Sequence, residues 1–222
     1  HRARLRQSAK QDEELTSFSE FQVLEYFLSF IIPRKDTNPI AHALIEAFGS
    51  FYGGFQATEE ELYSINGMTQ NAACFIADFL PISRKIQCSC FASQKYVSRL
   101  SDAVNVLRPY FYGRNSEFIY CLALDLNDRL LQICKISDGE ADSVVINNNK
   151  NLALVTRTKA KKIILAHNHP AGNIKPSDSD LQSTRMLNVL LAGVNARLSD
   201  HIIFSGDEYF SFYESDLLAC FS

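Results

Sequence analysis

Ala166-His167-Asn168-His169-Pro170-Ala171-Gly172-Asn173-Ile174-Lys175-Pro176-Ser177-Asp178-Ser179-Asp180 is the stretch from which the rest of the chain can be read. Ahead of it, Lys162-Ile163-Ile164-Leu165 is a short β-branched apolar run with the character of a buried strand. After it, Leu181 to Ala192 carries apolar residues at helical spacing. A strand end therefore turns into a helix start, and the polar residues collect at that junction.

Side chains two apart on an extended backbone point the same way, so His167 and His169 present both imidazoles to one point while Asn168 faces away. Pro170, Gly172 and Pro176 force a loop, and Ser177 has the character of a helix N-cap. Asp180, three residues past that cap, lies in the first helical turn, where the helix dipole favours a carboxylate and the side chain can turn back toward the histidines. Two neutral imidazoles and one carboxylate form a three-ligand set that suits zinc and leaves its fourth position for water. The competing reading is two solvated histidines beside a serine and an aspartate that only cap the helix.

The string His-x-His-Pro-x-Gly followed by Pro-Ser-x-x-Asp resembles the metal-binding motif of the JAMM (JAB/MPN) family, in its bacterial RadC-like form. The resemblance extends downstream through Asp200-His201-Ile202-Ile203 and upstream to the amino terminus. It implies a cytidine-deaminase-like α/β sandwich, zinc on His167, His169 and Asp180, and Ser177 as the hydroxyl that hydrogen-bonds a developing oxyanion. A peptide or protein would be the substrate. Capping and oxyanion binding by Ser177 are compatible roles.

Composition agrees with a globular chain: 222 residues, 46% hydrophobic and 21% charged. No run of about 18 apolar residues is present, so no transmembrane helix is expected. The six cysteines, Cys74, Cys88, Cys90, Cys121, Cys134 and Cys220, make no Cys-x-x-Cys pair, and several sit in apolar runs. A reducing cytoplasm is the expected location. The net charge of -3 argues against broad nucleic-acid affinity. Local basic groups remain at Arg2, Arg4 and Arg6 and at Lys159, Lys161 and Lys162.

In chain order, Arg2 to Glu14 is strongly polar, and Phe18 to Ile32 has helical spacing until Pro33. Asn38-Pro39 opens a helix that Gly49 stops. Thr58 with Glu61 three residues on is a capping box, and Asn66-Gly67-Met68-Thr69 turns the chain into a helix over Asn71 to Lys85. Ile65 to Ala73 resembles the helix-hairpin-helix turn of RadC-like proteins, which would offer backbone N–H groups to a DNA phosphate. Thr69 stands where a second glycine is usual, and Gln70 and Asn71 where a cation would help, so a structural hairpin is the stronger expectation.

A helix over Ser93 to Leu107, ended by Pro109, joins this all-α module to the second half of the chain, and the boundary is expected near residue 110. The module spans 1–110 and the metal-binding domain 111–222. From Glu117 the period changes. Phe118 to Leu126 and Arg129 to Ile136 read as a hairpin about Asn127-Asp128. Ser143 to Ile146 reads as a short strand or edge, Lys150 to Ala160 as a helix, and Ala196 to Phe204 and Tyr209 to Phe212 as final strands. The fold class is α/β: a helical module, then a mixed central sheet with helices on both sides.

A hydrolase of this kind needs a carboxylate to take the proton of the attacking water. The JAMM resemblance puts that glutamate on the strand before the motif, at the position of Cys134. By periodicity, neither Glu140, beyond Gly139, nor Glu117, on the preceding strand, should reach the metal. Cys134 is then either a small core residue or a thiolate that closes the zinc coordination sphere. Two functions are open: a zinc-dependent peptidase or isopeptidase with an unidentified base, or a RadC-like protein that keeps its metal for structure and serves as an accessory or DNA-binding module.

Overall fold

The computed structural model describes residues 2–12, 14–138 and 146–221. Within them the chain divides into two compact units, His1–Ser83 and Arg84–Ser222. Among the described residues, no helix is long and apolar enough to cross a membrane.

The first unit is helical: α1 (Arg2–Gln11), α2 (Glu20–Ile31), α3 (Asn38–Phe48), α4 (Phe51–Gln56), α5 (Glu59–Tyr63) and the start of α6 (Gln70–Cys90). Its stops and starts obey local chemistry. Pro39 occupies the first turn of α3, and Gly49 ends that helix at φ +74°, a left-handed conformation that costs glycine little. Glu61 accepts the Thr58 N–H at 2.8 Å, and Thr58 Oγ1 accepts the Glu61 N–H at 3.3 Å, so the expected capping box is present. Leu24, Leu28, Leu44, Leu62 and Ile76 are buried together between the helices.

Gly67, in the turn before α6, sits at φ +88°, and a Cβ there would lie 3.2 Å from Ile40 Cγ1. The turn thus needs glycine both for its backbone and for the close packing of Ile40. At the start of α6 the Gln70 amide donates to Glu59, one of the three glutamates in the first turn of α5.

Among the described residues, the second unit is built on a five-stranded mixed sheet, β1 (Phe118–Leu124), β2 (Leu130–Asp138), β3 (Lys162–Asn168), β4 (Arg197–Ser205) and β5 (Glu208–Ser211), in the order β2-β1-β3-β4-β5. Only β3 and β4 run parallel, joined by the crossover helix α9 (Asp178–Gly193). Alternation along the strands sends side chains to two cores. On one face Ile119, Cys121, Ala123, Ile163 and Leu165 pack with Leu154 and Val155 of α8 (Asn148–Thr158) and Leu187 and Leu191 of α9. On the other, Tyr120, Leu122, Ile164, Ile202 and Phe204 pack with Val104, Leu107 and Phe111 of α7 (Leu100–Phe111). This is the α/β sandwich with a mixed sheet that the sequence predicts.

Two local expectations differ. The segment ahead of α7 is not helical from Ser93, because Val97 N–H donates to Asp128 and Leu130 N–H to Lys95, pairing it with the β1–β2 turn. Pro109 does not end α7, which runs past it to Phe111 with the proline buried. Of the expected strand at 143–146, residues 143–145 lie outside the described residues, and Ile146 is buried without being part of a strand.

Candidate metal centre

The centre forms where β3 ends. His167 is buried at the penultimate position of that strand, and His169 comes directly after it, its backbone N–H donating to Phe204 of β4 at 2.8 Å and its carbonyl accepting from Ser205 Oγ at 3.0 Å. Ser177 caps α9 as expected. Its hydroxyl accepts the Asp180 N–H at 3.2 Å and donates to Asp180 Oδ2 at 2.7 Å, while its own N–H reaches the same oxygen at 2.8 Å. The box holds the Asp180 carboxylate turned back over the helix end, toward the histidines.

His167 Nε2 and His169 Nε2 lie 2.8 Å apart. Asp180 Oδ1 is 3.2 Å from the first, and Oδ2 is 3.5 Å from the second. The geometry therefore brings the three expected ligand residues together, and among the described residues they are the group able to hold a metal ion. His169 Nδ1 donates to the Asn173 carbonyl at 2.5 Å, and His167 Nδ1 is engaged with His201 Nε2 at 2.8 Å, so in both rings it is Nε2 that faces the carboxylate. Three electron-rich atoms at such separations need positive charge between them. A tetrahedral zinc with bonds of about 2.0–2.1 Å spaces its ligand atoms roughly 3.3 Å apart, within the range observed here. The residues fit a divalent cation.

The electrostatics come from the same contacts. Burial by itself pushes the Asp180 carboxyl up, but the imidazoles of His167 and His169 and the Ser177 hydroxyl outweigh it and hold the group far below its ordinary range. The Asp180 carboxylate raises His169 above its ordinary value against the effect of burial, and the Asn173 carbonyl and Glu117 add to the rise. His201 is held well below its ordinary value, first by burial and then by its neighbour His167.

Glu117 was expected to stay out of the metal's reach, and it is not among the residues grouped to hold an ion. It leads directly into β1, whose Ile119 pairs with His167, and its charge adds to the rise of His169. The Asn168 side chain extends the pairing: its Oδ1 accepts the Phe118 N–H at 2.8 Å, and its Nδ2 donates to the Ser116 carbonyl at 2.9 Å. Proline at 170 has no N–H for that carbonyl, and the Asn168 amide supplies the donor instead. Glu140 lies outside the described residues.

Cys134 sits elsewhere. It pairs with Cys121, which pairs with Leu165, so it stands two strands from β3 and level with Leu165 rather than His167. Its thiol contacts the Lys135 carbonyl at 3.6 Å and packs against the core beneath α8 and α9. It is not part of the ligand cluster.

Sequence reasoning also left His201 and Thr184 without a role. Both are fully buried, and Thr184 Oγ1 lies 2.7 Å from His201 Nδ1. Asp200 fixes the backbone beside them. Its carboxylate accepts from His201 N–H at 2.7 Å, Ser211 Oγ at 2.7 Å and Tyr213 N–H at 2.9 Å, while burial raises its pKa. A histidine within the apolar strand Arg197–Ser205 was the available signal, but face and level relative to His167 depend on a parallel pairing that the sequence does not display.

A helix-flanked mixed sheet with a His-His-Asp cluster at one strand end defines a JAMM-like metal-site domain. The RadC-like JAB domain family matches residues 97–217, and the chain belongs to that family. It is 30% identical to a UPF0758 protein of Fusobacterium nucleatum, over 98% of this chain and 97% of the relative. It is also 29% identical to a UPF0758 protein of Coprothermobacter proteolyticus, over 83% of this chain and 80% of that one, and 25% identical to one of Burkholderia thailandensis, over 90% and 76%.

Proposed function

We propose that the chain is a zinc-dependent peptidase or isopeptidase, with His167, His169 and Asp180 as metal ligands, Glu117 as general base and Ser177 as oxyanion donor. The observation that carries this reading is the convergence of His167, His169 and Asp180, supported by Glu117 leading into the strand that pairs with β3 and by its charge acting on His169. Zinc bound there supplies Lewis-acid polarisation of a water and of the scissile carbonyl. Glu117 accepts the proton of the attacking water and returns it to the leaving amine. The Ser177 hydroxyl, which donates to Asp180 Oδ2 in this structure, turns to the carbonyl oxygen as negative charge develops on it. A peptide or protein substrate is what this amide chemistry requires. The packing of Ile40 against Gly67 and the bond from Gln70 to Glu59 favour a structural role for this turn over DNA contact.

The test is zinc content and peptide hydrolysis of the purified parent and of His169→Ala. Zinc in the parent, its loss in the variant, and hydrolysis that a chelator abolishes are expected. A parent that takes up no zinc when it is offered would refute the reading.

A further inference from the structure

We infer that Thr184 and His201 form a positioning relay that decides which nitrogen of His167 faces the metal and ties the two ligand-bearing elements, β3 and α9, to each other. The inference rests on the metal-centre reading above and adds to it two residues that contact no substrate or metal.

The direction of each proton is set from the far end of the chain of contacts. The Asp180 backbone carbonyl can only accept, so the Thr184 hydroxyl, 2.5 Å away, donates to it. A hydroxyl has a single proton, so toward His201 Nδ1 at 2.7 Å the same oxygen is an acceptor, and that nitrogen carries the hydrogen. A neutral imidazole has one N–H, which leaves His201 Nε2 a lone pair. His167 Nδ1, 2.8 Å from that lone pair, is the donor. His167 Nε2 is then the nitrogen turned to the cluster, pointing at His169 Nε2 and Asp180 Oδ1.

The contacts close a circuit. Asp180 offers its side chain to the metal and its main-chain carbonyl to Thr184, and His167 offers Nε2 to the metal and Nδ1 to His201. Thr184 lies on α9, one turn after Asp180, and His201 on β4, beside β3, so the relay crosses from helix to strand through the interior. His201 is held for the task by the β4 ladder and by stacking on Phe212, ring centroids 4.7 Å apart. Such outer partners set ligand tautomer and orientation, and their removal typically lowers metal affinity about 10- to 100-fold.

The test uses the full chain and zinc alone, with affinity measured by competition with a chromophoric chelator. Thr184→Val keeps the shape and removes the hydroxyl, and Thr184→Ser restores it. An affinity loss of about 10-fold or more in the valine variant, with parent-like affinity in the serine variant and parent-like circular dichroism in both, is expected. Nitrogen NMR of the metal-free parent should show His167 and His201 each protonated at Nδ1, a readout that packing alone does not dictate. If the parent binds zinc and Thr184→Val binds it equally well, the relay falls while the metal centre stands. A parent that binds no zinc overturns both. Should the valine variant not fold, the NMR readout still decides, since His201 protonated at Nε2 overturns the relay.

Discussion

Two loops in this chain look alike on paper: the turn at Asn66-Gly67-Met68-Thr69 and the loop from Pro170 to Pro176. Each is punctuated by glycine at positive φ, Gly67 at +88° and Gly172 at +95°, and each delivers the chain to the start of a long helix. They are used differently. At Gly67 the missing Cβ is taken up by Ile40, whereas a Cβ on Gly172 would meet nothing within 4 Å. The first turn closes a core. The second frees side chains on either side of it to converge. What separates a packing turn from a site is therefore what stands beside it: an apolar side chain in one case, and in the other a histidine that feels the charge of Glu117, the residue leading into β1.

The sharpest way to break that comparison is Glu117→Gln. Removing a general base lowers the rate by about 10²- to 10⁴-fold, and because the amide keeps the shape and is no metal ligand, zinc content should stay at the parent level. Kinetics with parallel metal analysis would check it. Unchanged hydrolysis would mean that the strand opposite the second loop contributes nothing chemical.

For the first loop the expected loss is in stability. Gly67→Ala forces an L side chain into a left-handed conformation at about 1–2 kcal/mol, and the new methyl presses on Ile40 at 3.2 Å. A lower urea midpoint with unaltered zinc binding is expected. A neutral result would show that the turn relaxes freely and that its glycine answers to something other than packing.

Acid offers a subtler contrast, carried by the second loop. In metal-free protein the Asp180 carboxyl lies below its ordinary value of 3.8 despite burial, because His167, His169 and Ser177 all bond to its charged form. A group depressed in the folded state contributes stability that is present above its unfolded value and lost as pH falls through it. The urea midpoint of the parent should therefore drop more steeply between pH 5 and pH 3 than that of Asp180→Asn. Parallel curves would mean that the ion pairing is not what holds the helix end over the strand.

How much of this was legible in the sequence depended on the range of the interaction. His167, His169, Ser177 and Asp180 lie within one strand end, one loop and one helical turn, where periodicity and capping chemistry are local, and the sequence was enough to predict that the first two and Asp180 converge and that Ser177 caps α9. Most helix ends in the first unit were legible for the same reason, with Gly49, Thr58 and Pro39 each acting on its own neighbours. The contact between His201 and Thr184 was not legible, because it depends on which strand lies beside which, and at what level. Alternation reveals the face of a residue on its own strand. It says nothing about register across strands, which here is shifted by irregularities between Ile119 and Tyr120 and between Ile163 and Ile164.

Cys134 is where that limitation can be tested most finely. It shares a sheet face with Glu117, so alternation alone makes the two equivalent candidates for a carboxylate position. Register separates them, since Cys134 is two strands from β3 and level with Leu165, while Glu117 leads into the adjacent strand, whose Ile119 pairs with His167. Strands lie about 4.8 Å apart, so a glutamate at 134 would have to span two such steps and climb one pleat, beyond the reach of its side chain. Cys134→Ser should thus change zinc content and hydrolysis little and cost about 0.5–1 kcal/mol of stability, the price of a half-buried hydroxyl that keeps a hydrogen bond. The informative variant is the double one, Glu117→Gln with Cys134→Glu, assayed for hydrolysis against Glu117→Gln alone. No recovery is expected. Recovery would mean that β2 can slide the carboxylate up to the metal, and that the level read from the ladder does not decide which residue acts as the base.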